Sequence, residues 1–446
     1  MSIRKTIALL VMLMLGQYGM AQKRDKGFPD YLSPEHAVNT VTMVMVHDVV
    51  GPPIAARYYA YCMMGAYNIV AAHDRQFPPL NKFLKSYKTP YEPDTANKAY
   101  DYRIAAYYSI LESAKLLLPS GYTIKDDQGA FVSLLLKVGI KQAVIDNSIA
   151  AAEKASMQVV AFSKGDHYGQ LSALKRYTPL KEEGHWYPTP PGYFEALEPN
   201  WRTIRTLVID TSTQFKPAPL IVFSKDTASA FHRQVLAVYN ASKRLTDEQI
   251  NQALFWDCNP FAITTSGHMS IGYKKISPGG HWMHITGLVA KQAKLTFGQS
   301  IVALTLEGVT LMDAFISCWE EKFASNRIRP ETYINKYMDI KWKPVLQTPP
   351  FPEYTSGHAV ISQASAEILT YLLGDNFKYE DDTEIPFGSG KRSFSSFRQA
   401  ANEASMSRFY GGIHYFDSIN NGNAQGKAVA GYIVTKVADA GIKPFK

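Results

Sequence analysis

Three short segments in the last third of this 446-residue chain combine cationic side chains with histidines and small residues. Arginine binds oxyanion oxygens through its planar fork, and lysine binds them as a point charge. A glycine at a helix start leaves backbone N–H groups open to an anion, while histidine can ligate or attack a central atom or transfer protons. The residues are Lys322 and Arg329-Pro330, then Ser356-Gly357-His358, then Ser407-Arg408 and His414. This set predicts a site for a small, highly charged tetrahedral or trigonal oxyanion.

A second Thr-Ser-Gly-His sequence ends at His268 and repeats the one that ends at His358. No long helix and no arginine-containing partner is expected directly after it, so a structural, hydrogen-bonding role is favoured for His268 over contact with the site. Asp257, which precedes this repeat, either pairs with a site arginine or lies at the surface or at a helix cap.

The elements that must position these residues are mainly helical. Apolar residues recur at three- and four-residue steps, and a capping box opens at Thr246. Helices are expected over 44–72 (broken at Pro52-Pro53), 99–118, 140–162, 246–256, 302–324, 359–373, 395–406 and 423–440. Short strands are expected at 206–209 and 220–223, and the Pro-rich segment 165–199 as a functional or scaffold-wrapping loop. The fold class predicted is mainly α, with one domain built as packed helical bundles.

Composition and charge exclude several classes of protein. Hydrophobic residues make up 46% and charged residues 19%, which is enough apolar material for a sizeable core and excludes a disordered chain. The 47 Lys+Arg against 39 Asp+Glu are scattered rather than blocked, so nucleic-acid binding is not expected. Three distant cysteines, at positions 62, 258 and 318, indicate buried small residues rather than a disulfide framework.

The N-terminus has the layout of a secretory signal peptide, removed after residue 21. Arg4 and Lys5 precede an apolar run over residues 7–15, and small residues follow at Gly19 and Ala21. The alternative is a buried N-terminal helix. With the signal removed, residues 22–446 form one domain of charge 8 − 2 = +6 that is periplasmic or secreted. No later segment was expected to reach the roughly 18 uncharged apolar residues of a membrane span.

The ordered motifs Lys-x6-Arg-Pro, Ser-Gly-His and Ser-Arg-x5-His, within residues 322–414, resemble the signature shared by vanadium-dependent haloperoxidases and the type 2 phosphatidic acid phosphatase superfamily. Residues 51–57, 188–191 and 196–201 are similar to the N-terminal half of soluble bacterial vanadium haloperoxidases. Trp319 and Phe351 look most like the bacterial iodoperoxidase branch. Thr355 stands where the signature usually has proline, and Asp417 does not reproduce the His-x3-Asp of many phosphatases.

The resemblance implies two packed helical bundles with the site at the second, and vanadate as cofactor, with phosphate able to occupy the same site. It implies that His414 ligates vanadium and that His358 moves a proton to and from bound peroxide. Lys322 would also hydrogen-bond to that peroxide. The residues implied to hold the oxyanion are Lys322, Arg329, Ser356, Gly357 and Arg408.

The activity implied is oxidation of halide by hydrogen peroxide to hypohalous acid, with iodide as the leading substrate and bromide left open. Trp319 and Phe351 are expected either to line a halide pocket or simply to pack. The alternative is a soluble phosphatase that forms a phosphohistidine at His414, since vanadate mimics phosphate geometry. A non-catalytic oxyanion-binding protein is the third hypothesis. Halide preference, the natural organic substrate and the oligomeric state stay open.

Overall fold

The computed structural model describes residues 28–92 and 99–445, so the expected signal peptide lies outside the described residues. Within them the fold is mainly helical, as predicted. The helices are α1 (Pro34–His47), α2 (Pro52–His73), α3 (Tyr102–Leu117), α4 (Ile124–Lys137), α5 (Gln142–Ser163), α6 (Ala230–Ser242), α7 (Asp247–Phe255), α8 (Pro278–Gln292), α9 (Phe297–Ser325), α10 (Pro330–Tyr337), α11 (Gly357–Leu373), α12 (Phe397–Tyr410) and α13 (Phe416–Asp439). Two antiparallel hairpins join β1 (Ile263–Ser266) to β2 (Met269–Gly272) and β3 (Tyr379–Asp381) to β4 (Arg392–Phe394).

Two helical bundles share the long helix α9. On one side α9 packs against α2, which in turn packs against α3 and α5; on the other side it packs against α11, which packs against α12 and α13. Helix α9 is buried around nearly its whole circumference because both bundles cover it, and its composition is accordingly apolar on all faces. One continuous cluster of buried apolar side chains includes residues of both bundles. The prediction of packed helical bundles is therefore confirmed.

Local sequence explains where the main helices begin and end. Helix α2 begins at Pro52, at the first helical position where the missing N–H costs nothing, so the chain breaks between α1 and α2 as expected. The capping box at Thr246 and Gln249 is present, and a second one, at Thr296 and Gln299, opens α9. Helix α9 ends at Asn326, whose left-handed backbone (φ 47°) turns the chain toward the site.

The two predicted strands are wrong. Residues 206–209 form bends, and their amides at Leu207, Val208 and Ile209 donate to the buried carboxylate of Asp313 on α9. Residues 220–223 are irregular. Both stretches are apolar and include β-branched residues, but neither pairs with another strand. Carboxylate side chains accept from several of their amides instead, and Asp417 takes this role for Ile221 in the second stretch. Helices α4, α6, α8 and α10 were not predicted.

The Pro-rich segment 165–199 has little regular structure. It starts against the first bundle, where Asp166 accepts from Arg57 of α2, and continues to the end of α9 and to the stretch before α11. Its Trp186 amide donates to the Asn326 carbonyl at 2.6 Å, and its Leu197 amide donates to the Pro350 carbonyl at 2.9 Å. The segment therefore wraps the scaffold on both sides of the site.

One described helix, α9, is long and apolar enough to cross a membrane, with a mean hydropathy of 1.7 over its most apolar window. The sequence predicts a helix over 302–324 but no membrane span there. The whole of that window is buried inside the protein, as in the core helix of a globular fold.

Candidate oxyanion site

Lys322 lies in the last turn of α9 with no exposed surface. Its ammonium group donates to the carbonyls of Pro352 at 3.1 Å, Glu353 at 3.3 Å and Thr355 at 2.5 Å. Burial lowers the pKa of Lys322 to about 8, and the neighbouring charge of Arg329 acts in the same direction. Because all three N–H donors are held by backbone carbonyls, Lys322 contributes a fixed positive charge against the segment that precedes α11.

Arg329 is the residue that caps α10, just after the turn that ends α9, and it too is fully buried. Its Nε donates to the Phe351 carbonyl at 3.0 Å, and its Nη1 donates to the Ile413 carbonyl at 2.9 Å. The Nη2 atom is buried without a partner. Burial lowers the pKa of Arg329 to about 10, which leaves the guanidinium charged at neutral pH. A buried guanidinium nitrogen without an acceptor carries a desolvation cost, and a bound anion would remove that cost.

The N-terminus of α11 supplies the third side of the site. Ser356 caps the helix, and Gly357 is its first residue, so the Gly357 N–H has no partner within the helix. A Cβ at Gly357 would lie 3.8 Å from the Trp319 ring and 3.9 Å from Cε of Lys322, which places this helix end beside both residues. The positive end of the α11 dipole therefore adds to the charge of Lys322.

His358 follows in the first turn of α11, and its Nε2 atom is buried without a partner. Burial lowers its pKa well below the usual value, and the charge of Arg408 lowers it further. The ring is thus neutral in this ligand-free protein and can accept a proton.

Arg408 lies in the last turn of α12 and is 2% exposed. Its Nη2 donates to the Trp256 carbonyl at 2.6 Å and its Nε to the Ser407 hydroxyl at 2.9 Å. Burial lowers the pKa of Arg408, while the charge of Asp257 opposes this effect. Asp257 itself is bonded to Lys275 at 2.5 Å rather than to the arginine, so it acts on Arg408 through charge alone.

His414 stands between α12 and α13, where Gly412 adopts a positive φ of 77° that turns the chain into the site. Its Nε2 lies 3.1 Å from Nη1 of Arg329, and its Nδ1 lies 2.7 Å from Oε1 of the fully buried Glu353. The carboxylate accepts from Nδ1–H, so Nε2 carries the lone pair. Burial, followed by the charges of Arg329, Lys322 and Arg408, lowers the pKa of His414 well below its usual value. The ring is therefore a neutral nitrogen ligand.

Glu353 was not assigned a role by sequence reasoning, although it stands five residues before His358 in the central motif. It also accepts from the Tyr415 amide at 3.0 Å, and its Oε2 lies 3.1 Å from Nε of Arg327. Arg327 binds Asp417 through both terminal nitrogens, at 2.7 and 2.5 Å. Asp417 therefore does not orient His414, because Glu353 is the carboxylate that accepts from this histidine. The spacing of Asp417, which departs from His-x3-Asp, had already argued against an orienting role.

An open cleft of about 510 Å³ joins these elements. Gly357, His358, Arg408 and His414 line it from the second bundle. Its apolar wall includes Phe315, Trp319, Phe351, Pro52, Pro349 and Ile413. The Trp319 and Phe351 rings pack on each other with centroids 5.0 Å apart, so the packing role expected of them and the lining role are both present. The ammonium of Lys322 lies 5.0 Å from the Phe351 ring and the guanidinium of Arg329 lies 5.1 Å from it.

All seven residues predicted to form the oxyanion site thus lie around one region of the protein. His268 does not join them, because it is an exposed residue in the turn between β1 and β2. The structure gives it no role in the cleft.

The residues present fit a tetrahedral oxyanion with a metal centre. Three buried cations and a helix N-terminus supply positive charge, the Nη2 of Arg329 is an orphan donor, and neutral His414 supplies a nitrogen ligand. Vanadate and phosphate share this shape and charge, and the donor set suits both. The fold and the site together define a mainly helical, oxyanion-binding protein of two bundles.

Comparison with known proteins identifies the family to which the chain belongs. Residues 337–441 match the model of the second helical-bundle domain of vanadium chloroperoxidase (VCPO). The crystal structure of a bacterial vanadium-dependent iodoperoxidase is 39% identical to this chain, covers 92% of it and 96% of its own length, and superposes with a TM-score of 0.85. No curated protein sequence is significantly similar. The chain belongs to the vanadium-dependent haloperoxidases and is a vanadate-dependent peroxidase.

Two more distant structures share the fold. They are the holo and apo forms of a bacterial vanadium-dependent chloroperoxidase, each 13% identical with a TM-score of 0.65. They cover 95% and 88% of this chain and 97% and 96% of their own lengths, respectively.

Proposed function

We propose that this enzyme oxidises iodide, in preference to bromide, with hydrogen peroxide to give hypoiodous acid. The observation that carries the proposal is the aromatic wall of the cleft, formed by Trp319 and Phe351, beside the cations Lys322 and Arg329. Iodide is the largest and least strongly hydrated of the common halides, so it loses least on entering an apolar, cation-backed pocket. The likeness to a bacterial iodoperoxidase supports the same choice.

The chemistry that vanadate supplies when bound is Lewis-acid activation of hydrogen peroxide toward attack by halide. His414 would hold the metal through Nε2, with Glu353 fixing the ring. Arg329 and Arg408 would bind oxyanion oxygens, and Lys322 would neutralise charge from behind the α11 N-terminus. The Ser356 hydroxyl and the Gly357 amide would complete the set of donors.

Proton transfer falls to His358 in this account. The net reaction consumes one halide, one hydrogen peroxide and one proton, and it yields hypohalous acid and water. The neutral imidazole of His358, whose Nε2 has no protein partner, accepts a proton from hydrogen peroxide as it binds and returns it to the departing oxygen. A histidine with a lowered pKa suits the accepting step, and the charge of a bound oxyanion raises its pKa for the returning step.

The test is a halide oxidation assay on the protein reconstituted with orthovanadate. Iodide turnover by hydrogen peroxide should exceed bromide turnover, and His414→Ala should lose both. His268→Ala, in the exposed Thr-Ser-Gly-His repeat, is the matched control and should keep full activity. Iodide turnover that is absent, or weaker than bromide turnover, would overturn the proposal.

A phosphatase assay on the vanadate-free protein tests the alternative function, which is hydrolysis of phosphate esters. With a phosphate monoester in place of vanadate, the lone pair of His414 Nε2 would attack phosphorus as the bond to the ester oxygen breaks, and His358 would protonate the leaving alcohol or phenol. Hydrolysis of an aryl phosphate without any halide oxidation in the vanadate-loaded form would make phosphate ester cleavage the activity.

We also propose that residues 1–21 direct export to the periplasm or the medium. The N-terminal sequence of the mature protein should then begin at Gln22. Retention of the full N-terminus in the cytoplasmic fraction would contradict this.

A further inference from the structure

Behind the wall of the cleft, three potential metal ligands converge from separate parts of the chain. Cys258 follows α7, His281 lies in the first turn of α8, and Glu384 follows β3; none is more than 3% exposed. Sγ of Cys258 lies 3.4 Å from Nδ1 of His281, which lies 3.1 Å from Oε1 of Glu384. The remaining side of the triangle, from sulfur to carboxylate, measures 3.7 Å. None of these residues takes part in the oxyanion site described above.

These separations match those around a tetrahedral zinc ion. Zinc bonds of about 2.3 Å to sulfur, about 2.0 Å to nitrogen and about 2.1 Å to oxygen place such ligand atoms about 3.3 to 3.6 Å apart. The observed triangle differs from this by no more than about 0.2 Å on any side. We propose that Cys258, His281 and Glu384 bind a divalent cation of the zinc class, with water or solvent in the fourth position.

The surroundings of His281 are those of a metal ligand. Its second ring nitrogen, Nε2, bonds Oδ2 of the fully buried Asp381 at 2.7 Å. Asp381 is itself fixed by Thr383, which donates from its amide at 3.0 Å and from its hydroxyl at 2.6 Å. Trp256 stacks on the imidazole with centroids 4.5 Å apart. A carboxylate bonded to the far nitrogen of a ligating histidine sets the tautomer and the ring orientation in many metal sites.

The charges of the cluster also suit a dication. Two buried carboxylates, Glu384 and Asp381, flank His281, and Cys258 adds a further negative charge when it is bound as a thiolate. A dication held by Cys258, His281 and Glu384 would offset these charges and would replace the protons on its sulfur and nitrogen ligand atoms.

The position of the cluster indicates what the cation does. Cys258 lines the cleft, and two residues before it the Trp256 carbonyl accepts from Arg408. A cation at Cys258 therefore joins the segment that holds Arg408 to the start of α8 and to the turn after β3. The proposed role is structural: the cation fixes one wall of the cleft and takes no part in halide oxidation.

The experiment uses the full-length protein, purified under reducing conditions and without vanadate, with Zn²⁺ and Co²⁺ as probes. After incubation with zinc and removal of the excess, the protein should retain about one equivalent per chain. Cobalt should give a thiolate-to-metal charge-transfer band in the near ultraviolet. A wild-type protein that retains no zinc and shows no such band overturns the proposal.

Two variants assign the ligands, and two controls match them. Cys258→Ser and the isosteric Glu384→Gln should each lose the retained zinc and the cobalt band. Cys62→Ser, another buried cysteine, and His284→Gln, on the same helix as His281 but bonded to Asp382, should keep both. If Glu384→Gln keeps a full equivalent of zinc and an unchanged band, this site is not the one that binds the metal.

Discussion

At the scale of single residues, the site is defined by how each charged group is held. His414 is a neutral ligand because burial and the surrounding cations disfavour its charged form, and Glu353 accepts from Nδ1–H, which leaves the lone pair on Nε2. Lys322 is fixed by three carbonyls, whereas Arg329 keeps one nitrogen free for a ligand. Position and protonation are therefore prepared before any oxyanion arrives.

Glu353→Gln should weaken vanadate binding by about 10- to 100-fold, the range typical of losing a carboxylate behind a metal-ligating histidine. The neutral amide accepts from Nδ1 less strongly than the carboxylate and can donate to it instead, which favours the wrong tautomer. Titration of the apoprotein with orthovanadate measures the loss. Asp417→Asn, which touches Arg327 but not His414, should cost less; an equal loss in both variants would show that Glu353 acts through Arg327 rather than through His414.

The affinity for vanadate should depend on pH through the ionisation of Lys322. The variant Lys322→Gln should lack this contribution to the pH dependence. In the ligand-free protein the pKa of Lys322 is about 8 because of burial, so above pH 8 oxyanion binding must be accompanied by proton uptake. The ratio of wild-type affinity to Lys322→Gln affinity should fall by about fivefold between pH 8 and pH 9. This ratio cancels the titration of vanadate itself. A ratio that is constant from pH 7 to pH 9 would contradict the assignment.

At the scale of elements, α9 carries buried carboxylates that join it to its neighbours. Glu307 accepts from Ser365 of α11 at 2.5 Å and has a second oxygen without a partner. Asp313 accepts three amides of the segment 206–209 at 2.7 to 2.9 Å. These contacts fix α9 in rotation and register against α11 and against the segment 206–209.

Burial raises the pKa of Glu307 to about 7, from an ordinary value of 4.5. The folded protein therefore retains a proton between pH 4.5 and pH 7 that the unfolded chain has lost, so its free energy of unfolding falls as pH rises through this window. Glu307→Gln should remove this contribution, which amounts to about 3 kcal/mol. Urea denaturation of both proteins at pH 5 and pH 8 measures it. A variant with the same pH dependence as the wild type would show that Glu307 is already ionised in the fold.

Asp313→Ala should lower the free energy of unfolding by about 3 kcal/mol or more, because it leaves three buried amides without an acceptor. Asp313→Asn keeps one acceptor oxygen and should lose less. Chemical denaturation measures both variants. A loss below about 1 kcal/mol in the alanine variant would mean that water or a new backbone bond replaces the carboxylate.

At the scale of the whole molecule, α9 connects support and site. Its middle is enclosed by both bundles, and its last turn delivers Lys322 to the α11 N-terminus. The wrapping segment 165–199 then covers this end through Trp186 and Leu197. The site thus lies where the C-terminal end of α9 meets the N-terminal end of α11, and the rest of the chain holds these two helix ends in place.

The sequence allowed prediction of the helical class and the site residues, because helical periodicity and ordered motifs are local signals. It did not allow prediction of Glu353 as the partner of His414. The two residues are 61 positions apart, and no local sequence pattern indicates a contact over that separation. The supposed strand at 206–209 failed for the same reason, because its acceptor, Asp313, lies on a distant helix. The Cys258, His281 and Glu384 cluster also lacks any spacing motif, and it emerges only when three separate elements meet.

The central claim is that His414 holds the vanadium while Arg329, Arg408 and the α11 N-terminus surround its oxygens. A crystal structure of the protein soaked with orthovanadate tests this most directly. We expect vanadium within bonding distance of His414 Nε2, with oxyanion oxygens hydrogen-bonded to Arg329 Nη2 and to the Gly357 amide. Vanadate bound elsewhere, or held in the cleft without a bond to His414, would contradict it.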